Sequence, residues 1–105
     1  KEKKDLLYID DLVNFIKMTI SKQKEKFELM NCGSEKLTSV KNLVEKIIEH
    51  SGKKLAIEFD ESKPTLDSSV SLNCDYAFKK IGWRPKVDID EGIIKTLDWY
   101  SKNYL

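Results

Sequence analysis

The stretch NCDYAFKKIGWRPKVDIDEG, Asn73 to Gly92, decides the fold. Tyr76 to Ile81 reads as a short helix that closes on Gly82, the residue type best suited to the left-handed position past a helix end. Trp83 follows as a large core anchor, and Pro85 blocks continuation of the helix. Asp88 and Glu91 then stand at capping-box spacing, with aspartate in the Ser/Thr place, and start another helix. That last helix carries Ile93, Leu97, Tyr100 and Tyr104 on one face. Two helices joined at a Gly-Trp-Arg-Pro corner therefore close the chain.

Working back towards the N-terminus, strand-like and helical patterns alternate. Leu6 to Ile9 is a short apolar run that reads as a buried strand. Asp10 and Asp11 follow as helix caps, and Leu12, Val13, Ile16 and Ile20 recur at helical spacing. Phe27 to Asn31 reads as a second strand, with Gly33-Ser34 as its turn. Thr38 and Ser39 are candidate N-caps for the clearest helix, where Val40, Leu43, Val44, Ile47 and Ile48 form a core-facing stripe. Gly52 stops that helix. Leu55 to Phe59 alternates as a strand with one buried face, and Pro64 fixes the path of the polar loop DESKPTLDSS. The order β-α-β-α-β-loop-α-α predicts an α/β unit, with parallel pairing for at least some strands. A sheet of about three short strands is thin and suits part of a larger body. With no initiator methionine and a strand-like run close to its start, we expect the chain to be a cut piece, a single domain over residues 1–105.

The bulk numbers exclude several classes. The 105 residues are 40% apolar and 35% charged, an ordinary globular balance. The net charge of +1 gives no global field for nucleic acid or an anionic membrane. No run approaches the roughly 18 apolar residues of a membrane span, and KEKKDLLYIDD does not read as a signal peptide. Cys32 and Cys74 have neither CxxC nor metal-ligand spacing, so both are expected to be reduced thiols in a cytoplasmic protein.

Little catalytic chemistry is visible. There is no GxSxG, HExxH, GxGxxG or GxxxxGK[ST] motif. The single histidine, His50, lies in the last turn of the clearest helix, where a cation complements the helix dipole. The aromatic residues are spaced for packing and lack the basic groove of a nucleic-acid platform. What remains is the loop DESKPTLD, which offers a lysine, hydroxyls and carboxylates beside a proline-fixed turn.

Four segments in one register resemble the C-terminal part of the nucleotide-sugar epimerases and dehydratases of the extended short-chain dehydrogenase/reductase family. KDLLYIDDLV (Lys4 to Val13) is similar to the family's Arg-Asp strand and helix start. FELMNCGSEKLTSVKNLVEKI is similar to its Phe-Asn-Ile-Gly-Ser-Gly and Thr-Ser-Val segment. KPTLD (Lys63 to Asp67) resembles its substrate loop, and the closing stretch resembles its Leu-Gly-Trp-x-Pro ending. The resemblance implies the C-terminal lobe of a Rossmann-type enzyme, whose N-terminal domain binds NAD or NADP and carries a Tyr-x-x-x-Lys pair. That domain is not expected in this chain, which should bind no cofactor and hold no catalytic residue of its own. Tyr76 and Lys80 fit the Tyr-x-x-x-Lys spacing only by coincidence, inside the closing signature.

The resemblance also implies contacts with a nucleotide-sugar substrate through Lys4, Lys63 and Asp67. Lys4 stands where the family's arginine meets the diphosphate, keeping the charge but losing the bidentate fork. Asp11 matches a family aspartate and is expected to be structural. The loop is similar to that of the GDP-fucose synthases, yet Ser68, Ser69 and Val70 stand where those continue with basic residues, which leaves nucleotide and sugar open. Expected partners are the substrate and the Rossmann domain, with a homodimeric parent and neither nucleic acid nor membrane. The alternatives are a non-catalytic binding or regulatory module of the same descent, and an unrelated small interaction domain.

Overall fold

The computed structural model describes residues 2–63 and 69–105. Its elements are β1 (Lys3–Lys4), α1 (Ile9–Lys22), β2 (Thr38–Ser39), α2 (Val40–Ser51), α3 (Asp75–Ile81) and α4 (Ile89–Tyr104). Four helices and a small sheet make the expected α/β unit, but the strands lie elsewhere than the sequence pattern places them. β1 and β2 pair antiparallel, Lys3 with Ser39 and Lys4 with Thr38. The expected parallel pairing appears as one bridge, from Lys3 to Ser69. Leu6 to Tyr8, Phe27 to Asn31 and Leu55 to Phe59 belong to no ladder. Alternation marks a segment with one apolar face, whereas a strand also needs a neighbour to receive its backbone groups.

The helix ends follow from the residues at them. Ser39 caps α2, its hydroxyl accepting the Asn42 amide at 3.1 Å, and Gly52 ends it at φ 73°. Gly82 ends α3 at φ 75°. Asp88 caps α4 by accepting the Glu91 amide at 2.8 Å. The side chain of Glu91 instead pairs with Lys95 at 3.3 Å, so half of the expected box forms. α1 differs from expectation. Its N-cap is Tyr8, with no side-chain cap, and Asp10 and Asp11 lie in its first turn.

Asp11 has a different task. It is buried, and its carboxylate accepts the amides of Lys86 and Val87 at 3.0 to 3.1 Å, while its carbonyl accepts Trp83 Nε1 at 3.0 Å. One residue at the start of α1 thereby ties down the corner between α3 and α4. Trp83 is fully buried with Cys74, Ala77 and Ile81, and Phe15 meets its ring edge-on at 5.2 Å. Leu7, Met18, Met30 and Cys32 complete this cluster.

The helical stripes are less buried than their spacing suggests. In α1, Phe15 and Met18 turn towards Trp83, while Leu12, Val13, Ile16 and Ile20 turn outward. In α2, which lies beside α4, Leu43, Val44 and Ile48 are half-buried while Val40 and Ile47 are exposed. Ile93 of α4 is buried, but Tyr100 and Tyr104 stack on each other at the surface. At the crossing of α2 and α4, Asp90 accepts Lys46 Nζ on both carboxylate oxygens at 3.1 Å and meets His50 Nε2 at 2.9 Å. His50 therefore joins two helices, beyond the dipole role its position suggests. No helix of the described residues is long and apolar enough to cross a membrane.

Candidate functional site

Lys4 projects from β1 opposite Thr38. Strand alternation puts Glu2 and Lys4 on one face and turns Lys3 and Asp5 the other way. The Lys4 ammonium pairs with the Glu2 carboxylate at 2.6 Å and is half exposed. An arriving phosphate would compete with Glu2 for that cation. Next to it, the bridge from Lys3 to Ser69 brings the far end of the 60–69 loop against β1.

Lys63 is exposed in the turn that opens this loop, its amide donating to the Asp60 carbonyl at 3.3 Å. The Asp60 carboxylate accepts the Ser62 amide at 3.1 Å and fixes the turn. Asp67 lies outside the described residues. No hydrogen bond or ion pair among the described residues joins Lys63 to Lys4.

Two anchors beside this face carry no role in the sequence reading. Asp5 accepts the Ser34 amide and hydroxyl at 2.6 Å each and the Leu72 amide at 2.9 Å. Burial pushes the Asp5 carboxyl up, but the Ser34 hydroxyl and the amides of Leu72, Ser34 and Glu35 outweigh it and hold it below the usual carboxylate range. Gly33 lets this happen, since a Cβ there would sit 2.8 Å from Asp5 Oδ2. Arg84, inside Gly-Trp-Arg-Pro, donates to Glu35 at 2.8 Å and to Asp75 at 3.0 Å, with its guanidinium 4.6 Å from the Phe78 ring centre. Glu35, at φ 64°, also accepts the Cys74 amide at 3.0 Å. Asp5 was visible in Lys-Asp of the first matched segment. The Glu35–Arg84 pair spans 49 residues and leaves no local signal.

The remaining reactive groups are quiet. The Tyr76 hydroxyl donates to Glu28, which raises its pKa, and Lys80 sits over the Tyr76 ring face at 5.6 Å. Cys32 and Cys74 are free thiols. Burial, then the neighbouring Cys74, Asp11 and Asp5, push Cys32 up to about 11, and burial raises Cys74. Among the described residues, no three His, Cys, Asp or Glu side chains gather as metal ligands would.

Lys4 and Lys63 line none of three cavities among the described residues. A cavity of about 290 Å³ between Leu6–Tyr8, α2 and α4 is walled by Leu43, Ile47, Ile93 and Leu97 and suits no diphosphate. A groove of about 440 Å³ runs between α2 and Leu55, Ile57 and Phe59. A cleft of about 240 Å³ at the ends of α1 and α3 has Lys22, Lys24, Lys79 and Lys80 on its rim, with Glu25 and Glu28 among them. A small-ligand site normally buries most of its ligand. Lys4 instead stands on an open face.

No family model matches the chain. Its sequence is 31% identical over 97 residues to the dTDP-4-dehydro-6-deoxyglucose reductase of Escherichia coli, covering 92% of this chain and 30% of that enzyme. It is 29% identical over 102 residues to a probable GDP-L-fucose synthase of Oryza sativa subsp. japonica, covering 97% and 30%. Among solved structures, the UDP-glucose 4-epimerase of Thermotoga maritima superposes with a TM-score of 0.81 at 28% identity, over 98% of this chain and 33% of that one. The chain has the fold of the C-terminal lobe of the extended short-chain dehydrogenase/reductases. The UDP-glucose 4-epimerase of Bifidobacterium longum, seen with NAD+ and UDP, shares the fold of this lobe at a TM-score of 0.87 and 19% identity, again over 98% of this chain and 31% of that one. The chain thus spans about 30% of the length of the curated relatives it matches.

Proposed function

We propose that the lobe supplies the nucleotide-sugar-binding half of an NAD- or NADP-dependent epimerase, dehydratase or reductase, with Lys4, Lys63 and Asp67 as substrate contacts. The observation that carries this reading is the Lys3–Ser69 bridge, which lays the end of the substrate-type loop beside the half-exposed Lys4. Proton and hydride chemistry falls to a Rossmann domain with a cofactor turn and a Tyr-x-x-x-Lys pair. Lys4 holds a phosphate by charge and Lys63 adds a second cation, while Asp67 accepts sugar hydroxyls. An open half-site binds weakly, since it leaves one side of the ligand in water.

The test is titration of the chain with UDP, GDP and dTDP, followed by NMR. Millimolar binding that shifts the amides around Lys4 and Lys63, and that weakens in Lys4→Ala, is expected. In Glu2→Gln, which frees the Lys4 cation, binding should tighten. Shifts confined to the lysine-rimmed cleft, or none with any nucleotide, would overturn the assignment. NAD(P)-dependent turnover by the chain alone would overturn the division of labour.

A further inference from the structure

Two carboxylates grip the chain as it returns from the substrate-type loop. Asp5, just after β1, accepts the Leu72 amide at 2.9 Å, and Glu35 accepts the Cys74 amide at 3.0 Å. Both grips lie on the segment that begins at the Lys3–Ser69 bridge. The turn from Gly33 to Glu35 runs between them. Ser34 donates its amide and hydroxyl to Asp5, and Cys74 Sγ lies 3.4 Å from the Gly33 carbonyl. One hydrogen bond fixes a point on a segment, whereas two from separately anchored carboxylates fix its direction.

Glu35 holds its place at a conformational cost. Among the described residues it is the only non-glycine residue at positive φ, at 64°. A Cβ is disfavoured there, and glycine, which the matched Phe-Asn-Ile-Gly-Ser-Gly motif has at this place, would hold the turn without strain. What the side chain adds is a carboxylate with both oxygens engaged. Oε2 takes the Cys74 amide, and Oε1 takes Arg84 at 2.8 Å. Arg84 is fixed in turn by Asp75 at 3.0 Å and by the Phe78 ring, so it holds the carboxylate where it meets Cys74. Strain of this kind persists where the side chain has a task that glycine cannot perform.

We propose that Glu35 is a positioning residue for the nucleotide-sugar site, and that Arg84 acts through it. Together they set how residues 69–74 lie against β1, and thereby how the substrate-type loop is presented beside Lys4. The inference rests on the proposed function for its ligand. Releasing Glu35 leaves the Lys4 cation in place and loosens the segment next to it, so affinity falls through lost order and not through a lost ligand contact.

The experiment titrates the chain and its variants with UDP, GDP and dTDP by NMR, beside urea unfolding and amide hydrogen exchange. Glu35→Gly removes the carboxylate and relieves the turn. Its unfolding midpoint should stay close to that of the unsubstituted chain, since the relieved backbone offsets the lost hydrogen bonds. Exchange at residues 70–74 should speed up about tenfold, and nucleotide binding should weaken about fivefold. Arg84→Gln should weaken binding in the same direction, and adding it to Glu35→Gly should weaken it no further. Asp88→Ala, which removes the α4 cap, should lower the midpoint and leave binding unchanged. Unchanged affinity in Glu35→Gly makes Glu35 structural only, which overturns its role and leaves the proposed function standing. Equal losses of affinity in Glu35→Gly and Asp88→Ala trace the effect to stability and overturn it as well. Weaker binding without faster exchange at 70–74 makes Glu35 a direct ligand contact and overturns positioning. Additive losses in the double variant overturn the part given to Arg84. Absence of binding by the unsubstituted chain removes the proposed function, and this role with it.

Discussion

Removing the Asp11 carboxylate should destabilise the lobe more than any other single polar change. In Asp11→Ala the amides of Lys86 and Val87 lose their acceptor at 3.0 to 3.1 Å. Hydrogen bonds to a charged group contribute about 1.5 to 3 kcal/mol each. Val87 is half-buried and Lys86 exposed, so water replaces part of the loss. We therefore expect about 2 to 4 kcal/mol in total, a large share of the roughly 5 to 15 kcal/mol of a domain this size. Asp11→Asn keeps one acceptor oxygen and should lose about half as much. The backbone carbonyl that holds Trp83 remains in both variants. The assay is urea unfolding followed by tryptophan fluorescence in a Trp99→Phe background, which leaves buried Trp83 as the reporter. A loss below about 0.5 kcal/mol in Asp11→Ala, the range of an ordinary surface change, would refute the corner-tie reasoning.

Three other outcomes follow from the anchors. Asp5, lowered in the folded state, contributes stability that is fully present above its unfolded value near pH 4 and is lost as pH falls through the lower folded value, so Asp5→Asn should flatten the acid limb of a stability profile measured by thermal melts. Gly33→Ala would place a Cβ 2.8 Å from Asp5 Oδ2 and 3.1 Å from Leu72 Cβ, and should cost about 1 to 3 kcal/mol by urea titration, whereas an unchanged midpoint would show that the Asp5 side chain gives way. With its thiol pushed up to about 11, Cys32 should react with iodoacetamide slowly at pH 7.5 and about tenfold faster per pH unit up to pH 10, a dependence that mass spectrometry of the labelled peptide would reveal as present or missing.

Much of the lobe was legible because its signals are local. Gly52 and Gly82 end helices at positive φ, and Ser39 and Asp88 cap them, since each choice depends on a few adjacent residues. Trp83 was readable as a core anchor from its place after Gly82, and the four matched segments identified the lobe. The proposed substrate contacts were legible only as types: Lys4 and Lys63 are found on the surface, and nothing in the spacing revealed the Glu2 pairing of Lys4.

Tertiary structure decided what depends on partners distant in sequence. The alternation of Phe27 to Asn31 and Leu55 to Phe59 specified apolar faces but could not supply neighbours, and without neighbours neither segment forms a ladder. Asp11 looked like a cap because aspartate before a helical run usually is one, yet two amides 75 and 76 residues away claim its carboxylate. The stripe of α1 has the right period for burial but faces outward, because Phe15 and Met18 on the opposite arc fit against Trp83. Periodicity fixes which residues share a face. Which face is covered is set by the shape and partners of the rest of the fold.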